Sequence, residues 1–258
     1  MHETCGFCER AGVSREHIFA TWLTRSVKRR HRIDRFHATL TRTRLRHTWT
    51  GRPRIGGGID LVAWMPCTAC NNGWMSRLED RARPFLEQMI FTDRAGPLAL
   101  DLSAQALVAA WAVKTTMVIE YVSDERPTYY TQGERRQMRD ALTIPEDVRI
   151  SIGHQRGAFR CHASPNVLRF QHPNGQLIPG HSSTFVIGGL VLQVFSYRQA
   201  LGEFEKFRVR QGPWSTALLG LWPPQSEPLL WPPDTPLTDD ELVILSDRFS
   251  VDEPPPSL

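Results

Sequence analysis

Two Cys-x-x-Cys pairs, Cys5/Cys8 and Cys67/Cys70, bracket the first quarter of this 258-residue chain. A Glu16-His17 dipeptide lies between them, and Asn71 follows the second pair at once. Four thiolates so spaced close a tetrahedral shell around Zn²⁺, because the two residues inside each pair form a knuckle that aims both sulfurs at one point. The alternatives are a pair of disulfides or four inert thiols. The opening Met1-His2-Glu3-Thr4 lacks the apolar run of a secretory signal, which predicts a cytoplasmic, reducing setting where structural disulfides are rare. Cys161 stands alone in a strand-like stretch and reads as a small buried hydrophobe.

Glu16, His17 and Asn71 offer a second kind of chemistry. A metal-dependent phosphodiesterase needs a base for water, a divalent ion to polarise phosphate, and a scaffold that holds both. The Glu16 carboxylate suits Mg²⁺ or a similar hard ion, Asn71 adds an amide oxygen beside the knuckle, and an imidazole ordinarily exchanges protons near neutral pH. The zinc would then join two distant segments and leave the chemistry to these side chains.

Particular elements must bring those segments together. Gly12 leads into 14–19, where a short strand presents Glu16 and His17; a helix over 20–30 puts Trp22, Leu23 and Val27 on one face. Residues 31–58 are polar and basic and end in Gly56-Gly57-Gly58, which predicts a flexible hairpin or loop touching the ligand. A strand over 59–65 enters the second knuckle. Trp74, Leu78 and Ala82 recur one helical turn apart, with Pro84 expected to end or kink that helix. A very apolar helix over 103–122, with Ser103 as N-cap, is the expected core helix of a second domain. A polar helix over 133–142 follows. Short strands are predicted over 148–152, 158–163 and 167–171, and a long apolar run over 184–197 is split by Gly188-Gly189. The expected architecture is α+β: a zinc domain over 1–95 and an α+β domain with a mainly antiparallel sheet over 96–258. The tail is read as extended and acidic, with Trp222-Pro223-Pro224 and Trp231-Pro232-Pro233 as candidate plugs on the sheet, and Pro254-Pro255-Pro256 beyond.

An apolar content of 41% is enough for a sizeable core. The most hydrophobic helix is interrupted by Gln105, Lys114 and Glu120, so no membrane span is expected. The net charge of +4 conceals an asymmetry: residues 1–60 hold 13 Lys/Arg against 5 Asp/Glu, and the remainder 18 against 22. Arg15 and the cluster Lys28, Arg29, Arg30 and Arg32 lie in the segment framed by the cysteines, where such density suits a polyanion. Either basic cluster alone would read as a solvated surface. His31, His37 and His47 add imidazoles there, whereas His154, His162, His172 and His181 are read as structural, and Trp64, Trp74 and Trp111 as core.

The order Cys-x-x-Cys, Glu-His-Ile, Cys-x-x-Cys-Asn resembles the HNH endonuclease family in its zinc-stabilised form, over about residues 5–80. The resemblance implies a treble-clef ββα-metal fold with Cys5, Cys8, Cys67 and Cys70 on structural Zn²⁺. It implies His17 as general base, Glu16 and Asn71 as ligands of a catalytic Mg²⁺ or Mn²⁺, and DNA as the expected partner. The family's central Asn has no counterpart, since no Asn lies between His17 and Cys67. Asp60 is the nearest polar candidate to orient His17, or else a turn residue after three glycines. Two other readings stay open: a non-catalytic zinc module that binds nucleic acid, and a second half that senses a ligand or partner while the zinc domain is mainly structural. Double-strand cleavage from one site per chain would call for a homodimer or two sequential nicks.

Overall fold

The computed structural model describes residues 3–31, 37–42, 45–49, 62–91, 97–122, 128–157, 161–171, 177–198 and 216–247. The first knuckle closes through Glu9 N donating to Cys5 O (2.8 Å) and Cys5 N to Arg10 O (2.9 Å). It is tied to the second before any metal is considered: Gly6 N donates to Met65 O (3.1 Å) and Ser14 N to Pro66 O (2.6 Å). Gly6 is needed for that approach, because a Cβ there would stand 2.8 Å from Met65 Cγ and 3.1 Å from the Tyr121 hydroxyl.

β1 (Arg15–His17) is followed by α1 (Thr21–His31), β2 (His37–Arg42), β3 (Leu45–Trp49) and β4 (Val62–Trp64). β1 and β4 form a two-stranded antiparallel ribbon with Glu16 opposite Ala63. The second knuckle opens the short α2 (Thr68–Cys70), which runs through a wide π-type turn, Asn71–Met75, into α3 (Ser76–Ile90). Gly73, at φ −94° and ψ −108°, breaks helical geometry inside that turn. Of the end or kink expected at Pro84, the end does not occur, since Pro84 lies inside α3. Leu78, Ala82, Leu86, Met89 and Ile90 are buried along the whole helix, and packing against the next long helix overrides one lost backbone hydrogen bond.

β5 (Leu98–Leu100) leads into α4 (Leu102–Ile119). Its N-cap is Asp101, whose carboxylate accepts from Ala104 N at 2.8 Å, and not Ser103. By length and composition α4 is apolar enough to cross a membrane, and it is 78% buried inside the protein. The polar residues that interrupt it all find partners. Gln105 donates to Leu100 O and accepts from Gln225 N, Lys114 pairs with Glu79 of α3, and Glu120 just beyond pairs with Arg135. α5 (Gln132–Ala141) starts at a reciprocal capping box between Thr131 and Glu134.

The remaining elements are β6 (Val148–His154), β7 (Cys161–Gln171), β8 (Leu177–Ile187), β9 (Leu190–Tyr197), β10 (Leu218–Trp222), β11 (Leu229–Trp231) and α6 (Asp239–Asp247). Seven strands form one sheet in the order β10-β6-β9-β8-β7-β2-β3. It is antiparallel except where β2 runs parallel to β7 at Ala38–Ala163. The two short strands expected over 158–171 are one strand from 161 onward. Among the described residues the pairing with β2 covers His162 and Ala163, so Pro165 lies beyond that ladder, where a missing N–H costs little. β8 and β9 join across Gly188, whose φ of 57° suits a residue without Cβ and whose neighbour Ile90 O leaves no room for one.

The tail departs from the extended form expected of it. Thr238 and Glu241 cap α6 reciprocally, and Asp239, Asp240 and Glu241 sit in the first turn, where carboxylates favour a helix N-terminus. Trp231 is buried on β11, which pairs with β5, so the second Trp-Pro-Pro triplet does plug the fold. The triplet at 254–256 lies outside the described residues. Alternation along β9 sends Leu190, Leu192 and Val194 into the main core with α4, and Val191 into a smaller cluster with Leu242 and Leu245 of α6. Among the described residues one cluster of buried side chains draws on positions from Cys5 to Trp231.

Candidate metal centre and adjoining cleft

The two knuckles bring Cys5, Cys8, Cys67 and Cys70 together, with all four sulfurs within 4.8 Å of one another and Cys8 Sγ 3.6 Å from Cys67 Sγ. None is in a disulfide. A tetrahedral Zn²⁺ with Zn–S near 2.3 Å sets sulfurs about 3.8 Å apart, so closure needs shifts under about 1 Å. Phe7 N donates to Cys5 Sγ at 3.4 Å, the contact a metal-bound thiolate welcomes. The electrostatics fit the same occupant. Burial pushes the Cys5 and Cys70 thiols up, with the Cys5 charge adding to Cys70. At Cys8 the burial penalty is outweighed by hydrogen bonds from the Arg10 backbone and from the other three cysteines, which bring it down to about 7. Crowded sulfurs that resist a shared negative charge are what a divalent cation relieves. The quartet can therefore hold a structural metal ion such as zinc. Among the described residues it is the one group of three or more His, Cys, Asp or Glu side chains gathered this closely.

Against this knuckle lies a cleft of ≈ 160 Å³, space for roughly five waters. Glu16, His17, Thr21, Asn71, Ser76 and Glu79 are among its walls. Glu16 and His17 come from β1; Asn71 comes from the turn after Cys70. Asn71 Nδ2 donates to Ser14 Oγ (3.4 Å) and to Arg15 O (3.3 Å), so it clasps β1 to the second knuckle. The expected trio thus shares one cleft.

A charged pair absent from the expected set bears on the cleft. Glu79 of α3 lines the cleft, and its Oε1 accepts from Lys114 Nζ at 2.7 Å, with Lys114 fully buried on α4. Lys114 stands out in the sequence as a charge inside an apolar helix, but only the α3–α4 packing shows which carboxylate it meets. These charges act on Glu16. Burial pushes its carboxyl up to about 7, Lys114 and the Asn71 hydrogen bond work against the rise, and Glu79 adds to it. A folded-state value raised from 4.5 means that the folded chain keeps a proton the unfolded chain releases. Stability without added divalent cation should accordingly fall by about 3 kcal/mol as pH rises from 4.5 to about 7. Urea titrations across that window should show the slope in the native chain, and Glu16→Gln should flatten it; an unchanged slope in that variant would remove Glu16 as its source.

The other expected residues are placed as follows. Arg15 is exposed on β1; Lys28, Arg29 and Arg30 lie on α1 with their side chains outside the described set; and Arg32 and Asp60 fall outside the described residues. Among the described residues no hydrogen-bond partner orients His17. Trp74 and Trp111 are buried as expected, but Trp64 is 49% exposed, because it sits on the outer face of the β1–β4 ribbon while Ala63 takes the inner one. His154 and His181 are buried in the large sheet. Comparison with protein-family models, with curated proteins and with solved structures finds no match to this chain, so its function must be argued from the metal centre and the cleft themselves.

Proposed function

We propose that the chain is a metal-dependent endonuclease of the HNH type, hydrolysing phosphodiester bonds in DNA from a treble-clef ββα-metal unit. The observation that carries this reading is the meeting of Glu16, His17 and Asn71 in one cleft beside the cysteine quartet. The β1–β4 ribbon followed by α3, with a knuckle at each end of the segment, has the succession such a unit requires. The carboxylate of Glu16 and the amide oxygen of Asn71 would hold Mg²⁺ or Mn²⁺, which would supply positive charge for the phosphate and the leaving oxygen.

His17 takes a proton from the attacking water as its oxygen bonds to phosphorus and the P–O bond to the departing sugar oxygen breaks. Burial holds the Glu16 carboxyl up at about 7, so a cation held there would bind more tightly as pH rises and the carboxyl loses its proton. Lys114 holds Glu79 away from the role of a free competing carboxylate. The exposed Arg15 and the basic run Lys28, Arg29, Arg30 and Arg32 receive flanking phosphates.

Supercoiled plasmid with Mg²⁺ or Mn²⁺ tests the reading directly. The native chain should convert it to nicked or linear product, and His17→Ala should lower the rate by about 10²- to 10⁴-fold. Equal cleavage by both, or by neither, would overturn the nuclease assignment. Retained plasmid binding without cleavage would point instead to the non-catalytic zinc module.

A further inference from the structure

Trp64 closes β4 directly across from Arg15 of β1. Strand alternation puts Glu16 and Ala63 on the buried face of this ribbon and Arg15, His17, Val62 and Trp64 together on the other. Among the tryptophans whose side chains are described, Trp64 is the one left most open to solvent. Its neighbour Arg15 is exposed too, and among the described residues no carboxylate pairs with it. An indole and an unpaired guanidinium therefore stand side by side, with Cβ atoms roughly 5 Å apart, on the strand that carries His17 roughly 7 Å further along.

We infer that this pair is a nucleotide platform: Trp64 stacks an unpaired base of a nucleic-acid strand while Arg15 holds the phosphate beside it. The inference rests on the proposed action on nucleic acid and narrows the substrate. A flat indole needs the face of a base, and in a continuous duplex those faces are covered by neighbouring pairs. The platform thus favours single strands, ends or bulges over an intact helix. Charge supports this occupant over an acid-poor protein surface, since residues 1–60 carry 13 Lys/Arg against 5 Asp/Glu. His17 on the same face places a strand bound this way next to the proposed base.

Binding can be read without cutting in the full-length His17→Ala chain, by fluorescence anisotropy of a labelled 20-nucleotide DNA strand and of its duplex at one fixed salt concentration. Adding Trp64→Ala should weaken single-strand binding about tenfold and leave the duplex nearly unchanged, while Trp64→Phe should recover most of the loss. Arg15→Ala should weaken both and, in a salt series, reduce the salt slope by about one. Because Trp64 is exposed, zinc content and melting temperature should match the parent. No single-strand loss in Trp64→Ala, or equal losses on strand and duplex, would overturn the platform while leaving nucleic-acid action in place. A parent that binds neither probe would overturn both. A change in oligomeric state with unchanged strand affinity would assign Trp64 to a contact between copies and also overturn the platform.

Discussion

Native chain should carry close to one zinc per molecule, and Cys67→Ser should carry none and lose the ordered N-terminal unit. Cys67 is buried at the hinge of the second knuckle, with its sulfur 3.6 Å from Cys8 of the first. Removing one thiolate leaves three crowded sulfurs, and burial already opposes ionisation of two of them, Cys5 and Cys70. Structural zinc contributes apparent folding free energies of about 10–16 kcal/mol in isolated finger peptides. The effect here should be smaller, because Phe7, Ile18, Phe19, Leu23, Met65 and Met75 bury an apolar core around the same knuckles. A loss of several kcal/mol still exhausts much of a typical stability of roughly 5–15 kcal/mol. The cleft should go with it. Asn71 follows Cys70 directly, and β1 hangs on the second knuckle through Ser14 N and Pro66 O, so Glu16, His17 and Asn71 lose their common frame. Metal analysis, chelator-induced change in near-ultraviolet dichroism, and proteolysis at Arg10 and Arg15 would report this. A metal-free chain with unchanged melting and unchanged protease resistance would sink the zinc assignment.

What can be read from sequence follows the range of the signals. α1, α3, α4 and α5 declare themselves within a few residues, by apolar spacing and by polar composition, and β8–β9 by an apolar run broken at Gly188-Gly189. The cysteine quartet is legible because two-residue spacing encodes knuckle geometry locally. Sequence and structure part where tertiary contact overrides a local rule or where one local signal masks another. Pro84 stays helical because α4 covers the buried side of α3. The capping box of α6, Thr238 to Glu241, is written in the sequence, yet the surrounding prolines and carboxylates suggest an extended tail and hide it. The parallel pairing of β2 with β7 joins residues more than a hundred positions apart and leaves no local trace. The cleft divides in the same way. Glu16, His17 and Asn71 lie next to landmarks, whereas Glu79 and Lys114 meet only through helix packing. Trp64 shows the reverse error: a tryptophan is ordinarily core, and only the strand register reveals that this one faces outward.

Arg135→Met should be the costliest change outside the metal centre, at about 3–5 kcal/mol. Arg135 on α5 is 1% exposed, and its guanidinium binds the equally buried carboxylate of Glu120, donates to the Tyr121 hydroxyl at 3.3 Å, and lies 4.9 Å from the Tyr121 ring centre. Glu120 also accepts from Tyr129 N at 2.7 Å. Burial pushes the Glu120 carboxyl up, and Arg135 is the main influence holding it down. Without the guanidinium, an ionised Glu120 is left in the core with backbone donors alone, and its natural escape is to keep a proton. The sign follows: relative to parent, the variant should lose stability as pH rises above the ordinary carboxylate range, and less of the defect should appear near pH 5 than near pH 8. Adding Glu120→Gln removes the stranded charge and keeps an oxygen for Tyr129 N, so the double variant should recover most of the loss. The consequence reaches the metal centre. The same helix braces the first knuckle, with Arg139 donating to Phe7 O at 3.4 Å and Arg136 paired with Glu9. Zinc release by chelator should therefore be faster in Arg135→Met than in the double variant. Urea midpoints at two pH values decide the matter: a single variant as stable as the parent, or a double variant no better than the single, would show that the buried charge is not what this helix is built around.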